Sequence, residues 1–229
     1  AGAGAAAGAA AGAAARPRVL CLHGFRSNRE MLGVQLAPYL ARHRAAFDFV
    51  FADAPRAATG EPEDGIPPEV RTYEWWGEPG LPYDVAWKSG FGGVDAALAD
   101  LVRSGPYDGV LGFSQGAGLA SIFPARWFVG FSAVEPPPGT AGARGADARP
   151  NLHIYDATEE YVGQSHAVQA QFATAEVQTH SGGHTVPNDA AAVARFGAFL
   201  DARLAELRPE LAELRPEPRP PQHDPLASA

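Results

Sequence analysis

The strongest constraint on the fold is a glycine-bracketed turn at residues 112–116, which reads Gly-Phe-Ser-Gln-Gly. An apolar run at 107–113 leads into this turn, and a helical pattern at 115–123 leaves it and ends before Pro124. A serine at a sharp strand-to-helix turn has strained dihedrals, and glycine on both sides lets the two backbones pass closely. The segment therefore predicts a strand, an elbow that presents Ser114, and a helix. A plain glycine-rich turn with a helix-capping serine is the alternative.

Short apolar runs alternate with helical patterns along most of the chain, which is typical of parallel strands joined by crossover helices. The runs that predict strands lie at 18–23, 47–52, 107–113, 127–134, 151–155 and 175–179. The patterns that predict helices lie at 28–43, 93–103, 115–123, 164–172 and 188–207. Together they predict an α/β fold with a mostly parallel central sheet and helices on both faces. With the elbow at Ser114, this is expected to be the α/β-hydrolase fold.

The two ends of the chain differ in composition from the part between them. Residues 1–15 are all Ala and Gly, which predicts a disordered arm, and the remnant of an organelle leader is the alternative. Residues 16–207 have the length and patterning of one α/β-hydrolase domain. Proline recurs among charged residues from 208 to 229, so we expect the last helix to stop there and a charged, mostly extended tail to follow.

Charge and cysteine content limit the partners that the chain is expected to have. The net charge is −8, and the basic residues do not cluster into a stripe that could follow a phosphate backbone. Nucleic acid is therefore not an expected partner. Cys21 is the one cysteine, which leaves no intrachain disulfide and favours a cytoplasmic location. No strongly apolar run reaches the length of a membrane span.

A serine hydroxyl becomes a good nucleophile when a base accepts its proton, and histidine has a suitable pKa for this task. His184 lies in a loop that reads Ser-Gly-Gly-His-Thr-Val-Pro over residues 181–187, and it follows Ser114 in the chain as the α/β-hydrolase order Ser, acid, His requires. The acid is expected just after the strand at 151–155, where Asp156, Glu159 and Glu160 are candidates. We favour Glu159, because it lies further along and can turn back toward His184, and we keep Asp156 as the alternative acid.

Two backbone N–H groups are expected to form the oxyanion hole. One belongs to Gln115, directly after the serine, and the other to Phe25, in the loop after the first buried strand. His23 in that loop is interpreted as a residue that orders the loop rather than as a base.

The long connection at 54–88 is rich in aromatic residues, and loops of this length often form lids or pocket walls. Tyr73, Trp75 and Trp76 are therefore predicted to line a substrate pocket, with plain core filling as the alternative. A metal site is not expected. His180 and His184 have helical spacing, but the two glycines between them break a helix.

Four segments, in order within residues 18–205, resemble the serine hydrolase FSH family: LCLHGFRSN at 20–28, YEWW at 73–76, GPYDGVLGFSQGA at 105–117 and HSGGHTVP at 180–187. The resemblance implies an α/β-hydrolase fold, no metal or organic cofactor, and esterase or thioesterase activity, with acyl chains favoured by several members. The resemblance implies that Ser114 is the nucleophile and His184 the catalytic base. The family has Asp where this chain has Glu159.

Two hypotheses follow for the function. In the first, a serine hydrolase cleaves a small-molecule ester or thioester through an acyl-enzyme on Ser114, which the intact Ser114 and His184 favour. In the second, a catalytically weak protein of the same fold binds an acyl ligand or a protein partner. The glutamate at 159 and the short segment at 115–126 favour this second hypothesis.

Overall fold

The computed structural model describes residues 16–62, 65–140 and 146–213, so the arm at 1–15 and the tail from 214 onward lie outside the described residues. The strands are β1 Arg18–Leu22, β2 Asp48–Ala52, β3 Arg56–Ala57, β4 Tyr73–Glu74, β5 Gly109–Phe113, β6 Trp127–Phe131, β7 Asn151–Asp156 and β8 Glu176–His180. The helices are α1 Arg29–Gln35, α2 Ala37–Leu40, α3 Tyr83–Ala86, α4 Val94–Arg103, α5 Gln115–Ile122, α6 Val162–Gln169 and α7 Ala190–Glu213.

The central sheet has six strands in the order β2-β1-β5-β6-β7-β8, and every neighbouring pair in it is parallel. The chain starts at β1, moves outward to β2 and then returns to the other side of β1 at β5. In open parallel sheets, ligands bind outside the carboxyl ends of the strands at such a switch point. The loops that leave β1 and β5 therefore begin at the place where a site is expected, and the predicted mostly parallel sheet is confirmed.

Helices cover both faces of the sheet, as predicted. On one face α1, α2 and α7 enclose a core that includes Leu32, Tyr39, Phe196 and Leu200. On the other face α4, α5 and α6 pack with the aromatic residues of the long connection between β2 and α4. The inner strands are thus buried between two helical layers, which explains why β1, β5 and β6 are almost continuously apolar, whereas the edge strands β2 and β8 are partly exposed.

The helix predicted over 28–43 is divided in two. Helix α1 ends at Gln35, and α2 begins at Ala37 with Pro38 in its first turn. A proline has no N–H to donate to the preceding turn, so it is tolerated at the start of a helix and breaks one in the interior.

The prediction that the helix ends at 207 is wrong. Helix α7 continues through Pro209 to Glu213, so an extended tail does not begin at 208. Two contacts hold this last part against the body of the protein: Leu207 is buried, and Nη1 and Nη2 of Arg126 both donate to the Glu210 carboxylate over 2.6 Å. This pairing holds the pKa of Glu210 below its usual value. These tertiary contacts thus offset the loss of the backbone hydrogen bond that Pro209 cannot make.

No helix within the described ranges combines the length and the hydropathy needed to cross a bilayer.

Candidate active site

Ser114 occupies a strained turn between β5 and α5. Its backbone has φ 53° and ψ −119°, well away from the helical and extended regions. A Cβ atom on Gly112 would lie 2.4 Å from the backbone of Gly116, and one on Gly116 would lie 2.2 Å from the carbonyl oxygen of Leu22. Only glycine fits at both places, so the predicted elbow is present with its steric cause.

A chain of two hydrogen bonds joins Ser114, His184 and Glu159. The Oγ of Ser114 lies 3.0 Å from Nε2 of His184, and Nδ1 of His184 lies 2.6 Å from Oε2 of Glu159. The Glu159 side chain is 1% exposed and the His184 side chain 20% exposed. The imidazole also packs against two rings, with centroids 5.2 Å from Phe113 and 5.0 Å from Tyr161. The His184 ring is therefore fixed by a carboxylate and by two aromatic contacts.

Asp156 lies at the end of β7 but does not contact His184 through a hydrogen bond. Its Oδ2 accepts the N–H of Gly183, and its Oδ1 accepts both the N–H and the hydroxyl of Thr158, all over 2.8 Å. These bonds, the Gly183 N–H first among them, hold the pKa of Asp156 below its usual value. Asp156 thus ties the turn that carries Glu159 to the loop that carries His184.

His23 and Gln115 order the loops on the other side of Ser114. Nε2 of His23 accepts the Ala54 N–H over 3.0 Å, and Nδ1 lies 2.7 Å from the Gly24 carbonyl, so Nδ1 carries the proton. Burial lowers the pKa of His23 to about 4, which keeps the ring neutral near pH 7. The Gln115 side chain donates to the Trp76 carbonyl over 2.9 Å. The interpretation of His23 as a loop-ordering residue agrees with these contacts.

A cleft of about 390 Å³ opens beside Ser114 and His184. Its described lining consists of Phe25, Glu61, Pro62, Trp87, Ser114, Gln115, Val134, Glu160, Tyr161 and His184. Phe25 and Gln115, the two predicted oxyanion donors, both belong to this lining. The ring of Trp87 meets Tyr161 edge to face at 5.5 Å.

The prediction that Tyr73, Trp75 and Trp76 line the substrate pocket is wrong. Trp75 and Trp76 are each 1% exposed and Tyr73 packs against the same core, so the alternative of core filling describes all three. The indole N–H of Trp75 donates to the His23 carbonyl, and that of Trp76 donates to the Trp87 carbonyl, both over 2.8 Å. These bonds satisfy the two buried indole N–H groups. Of the described aromatic side chains in this connection, Trp87 is the one that lines the cleft.

His180 does not pair with His184. Its Nδ1 accepts the N–H of Gly182 over 3.0 Å and so closes the turn between them. Across the part of the chain that the structure describes, no group of three or more His, Cys, Asp or Glu side chains could hold a metal ion.

The parallel sheet, the glycine-bracketed elbow and the hydrogen-bonded Ser–His–Glu chain define a serine hydrolase of the α/β-hydrolase fold. The chain belongs to the serine hydrolase (FSH1) family, whose model matches residues 13–196. The family resemblance seen in the sequence is thereby confirmed.

Individual relatives agree with this assignment. Esterase CG5412 of Drosophila melanogaster is 34% identical over 218 residues, covering 82% of this chain and 75% of that protein. Esterase OVCA2 of Homo sapiens is 30% identical over 221 residues, covering 80% of this chain and 95% of that protein. Among solved structures, esterase PE8 superposes with a TM-score of 0.61 at 26% identity, covering 82% of this chain and 93% of that one.

Proposed function

We propose that this serine hydrolase cleaves carboxylic esters through an acyl-enzyme on Ser114, with His184 as general base and Glu159 as the acid that supports it. The observation that carries the proposal is the continuous chain from Ser114 Oγ through His184 to the buried Glu159 carboxylate. Both distances lie within the range over which a proton is transferred or a base is oriented.

Acylation begins when His184 Nε2 takes the Ser114 proton as Oγ attacks the ester carbonyl carbon. The imidazole becomes a cation, and the Glu159 carboxylate, shielded from water, stabilises it at Nδ1. His184 then donates the same proton to the leaving alcohol oxygen, which breaks the ester bond and leaves the acyl group on Oγ. In the second half of the reaction, His184 takes a proton from a water molecule as its oxygen attacks the acyl carbonyl carbon. The proton then passes to Oγ as the acyl–Oγ bond breaks, which releases the carboxylic acid and restores Ser114.

The negative charge that develops on the carbonyl oxygen requires donors beside Ser114. We assign this role to the backbone N–H groups of Gln115 and Phe25, because both residues line the cleft next to the nucleophile. Gln115 is also the first residue of α5, so the positive end of the helix dipole lies at the same place.

The lining of the cleft supports a substrate with an uncharged apolar part. Phe25, Trp87, Tyr161 and Val134 supply aromatic and aliphatic surface, and the volume suits a small ligand. An acyl chain of modest length is the group that we place against this wall. A thioester would react through the same steps, because the acylated serine is the same and the thiolate leaves at least as readily as an alkoxide.

The geometry favours a working hydrolase over a catalytically weak protein that only binds acyl ligands. The glutamate at position 159 reaches His184, so the departure from the family's aspartate keeps a carboxylate on the imidazole. The short segment after Ser114 still forms a full crossover, because β5 and β6 pair in parallel along their whole lengths.

Labelling with a fluorophosphonate tests the proposal. The intact protein should be labelled at Ser114, and Ser114→Ala should abolish both labelling and hydrolysis of p-nitrophenyl esters. Ser121→Ala is the matched control, because Ser121 is a buried serine of α5, the helix that follows Ser114, and its hydroxyl donates to the Gly118 carbonyl. Labelling that persists in Ser114→Ala would overturn the assignment of the nucleophile.

A further inference from the structure

The residue after the assigned oxyanion donor Phe25 is an arginine in an unusual setting. Arg26 has φ 50°, in the left-handed region, and is 2% exposed. Such a conformation in a non-glycine residue persists only where the surroundings impose it. The Nε atom of Arg26 lies 3.5 Å from Oε2 of Glu74, which is 1% exposed, so the two side chains form a buried ion pair.

The same guanidinium contacts the segment that forms one wall of the cleft. Its Nη1 donates to the Glu61 carbonyl over 3.5 Å, and its Nη2 donates to the Leu81 carbonyl over 3.3 Å. Gly60 packs directly against it, since a Cβ atom at that position would lie 2.3 Å from Nη1. Glu61 is part of the cleft lining. Arg26 therefore joins three separate parts of the long connection at one buried point.

Arg26 also holds the side chain of Phe25. The guanidinium carbon lies 4.8 Å from the centre of the Phe25 ring, a cation–π contact. From the other side, a Cβ atom on Gly77 would lie 2.8 Å from this ring and 3.2 Å from the Glu74 carboxyl group. The ring, the guanidinium and the carboxylate are thus packed together, and movement of one displaces the others.

We propose that Arg26 is a positioning residue, which holds the Phe25 N–H in the oxyanion hole and fixes the cleft wall at Glu61 relative to Ser114. The inference rests on the proposed function, because it gives Arg26 a role in the same reaction. A donor that shifts by about 1 Å loses on the order of 100-fold in rate, so the anchor of the donor matters as much as the donor.

The test uses two kinds of variant in the full-length protein. Arg26→Gln removes the charge, and Arg26→Lys keeps it while removing the fork that reaches the two carbonyl groups. Gly60→Ala displaces the guanidinium without changing Arg26.

Two controls match these variants. Arg56→Gln removes the other arginine on Glu74, whose further contacts are with the carbonyl groups of Gly77 and Gly90. Gly92→Ala changes a glycine of the same connection that has open space around its Cβ position.

Each variant is measured for kcat and KM on a short p-nitrophenyl ester, per molecule of folded protein. Binding of a boronic acid, which forms a tetrahedral adduct on the serine, is compared with binding of the unreactive carboxamide of the same acyl group. We expect Arg26→Gln, Arg26→Lys and Gly60→Ala to lower kcat and boronic acid affinity in parallel, by about 10- to 100-fold for Arg26→Gln. Carboxamide affinity and KM should change by less than about threefold, because the effect falls on the transition state.

A purely structural role for Arg26 would reduce the yield or melting temperature of folded protein and leave kcat per folded molecule unchanged, and this result would overturn the inference. Equal losses of kcat in Arg56→Gln would also overturn it, since the effect would then belong to the connection as a whole. If the wild-type protein is not labelled at Ser114 by a fluorophosphonate, the proposed function and the inference both fail. If the wild-type protein is labelled at Ser114 but Arg26→Gln has wild-type kinetics, only the inference about Arg26 fails.

Discussion

Mild acid should destabilise this protein through two buried neutral histidines. Burial lowers the pKa of His23 to about 4, and it does the same for His153, which packs edge-on against the stacked rings of Phe128 and Phe172. In the unfolded chain both side chains titrate near the ordinary histidine pKa of about 6.5. Between these two values the unfolded state binds more protons than the folded state, so the free energy of unfolding falls as the pH falls from about 6.5 toward about 4.

The size of the effect follows from the two pKa values. With a pKa of 6.5 in the unfolded chain and about 4 in the folded protein, each histidine makes the free energy of unfolding roughly 2 kcal/mol lower at about pH 5 than near pH 7. The two together lower it by about 4 kcal/mol. A whole domain is stable by about 5–15 kcal/mol, so the loss is a large part of the total. The pKa of Asp156 is also held below its usual value, chiefly by the Gly183 N–H, so its contribution to stability is lost in the same direction, at the acid end of this window.

Urea unfolding near pH 7, 6 and 5 measures the effect. His23→Gln keeps an acceptor for the Ala54 N–H and cannot titrate, so it should remove about half of the pH dependence. His153→Gln is the matched variant and should remove the other half, whatever either substitution does to stability near pH 7. A free energy of unfolding that stays constant over this range would refute the reasoning, as would a His23→Gln protein with the wild-type slope.

Two further predictions concern the site. Glu159→Gln should lower kcat by about three to four powers of ten, because His184 loses the carboxylate that orients it, and steady-state kinetics should show a much smaller loss for Asp156→Asn. The opposite ranking would transfer the role of the acid to Asp156. Trp87→Ala should raise KM for esters of longer acyl chains more than for acetyl esters, because it removes one aromatic wall of the cleft. Equal changes across a series of acyl lengths would place the acyl chain elsewhere.

Much of the fold could be predicted because its signals are local. Buried parallel strands give continuous apolar runs, and their alternation with helical patterns predicted the six-stranded sheet. The errors occur where a local signal is modified by contacts distant in sequence. Pro209 is a helix breaker by itself, yet α7 continues past it because Glu210 pairs with Arg126, a residue distant in sequence.

The site shows the same division. The elbow at Ser114 could be predicted because the glycines that it requires lie within five consecutive residues, 112–116. The placement of Trp75 and Trp76 could not, because an aromatic residue in a long loop has the same appearance in sequence whether it fills the core or lines a cleft. Tyr161, which packs against His184, carries no local signal, since the contact arises only when the loops after β7 and β8 meet.

Trapping the acyl-enzyme tests the central claim most directly. The protein is mixed with excess p-nitrophenyl ester, quenched in acid within the first turnover, digested and analysed by mass spectrometry. The account predicts a burst of p-nitrophenol that approaches one equivalent and one acylated peptide, with the acyl group on Ser114. Hydrolysis of the ester without acylation of Ser114, or with the acyl group on another residue, would contradict the account.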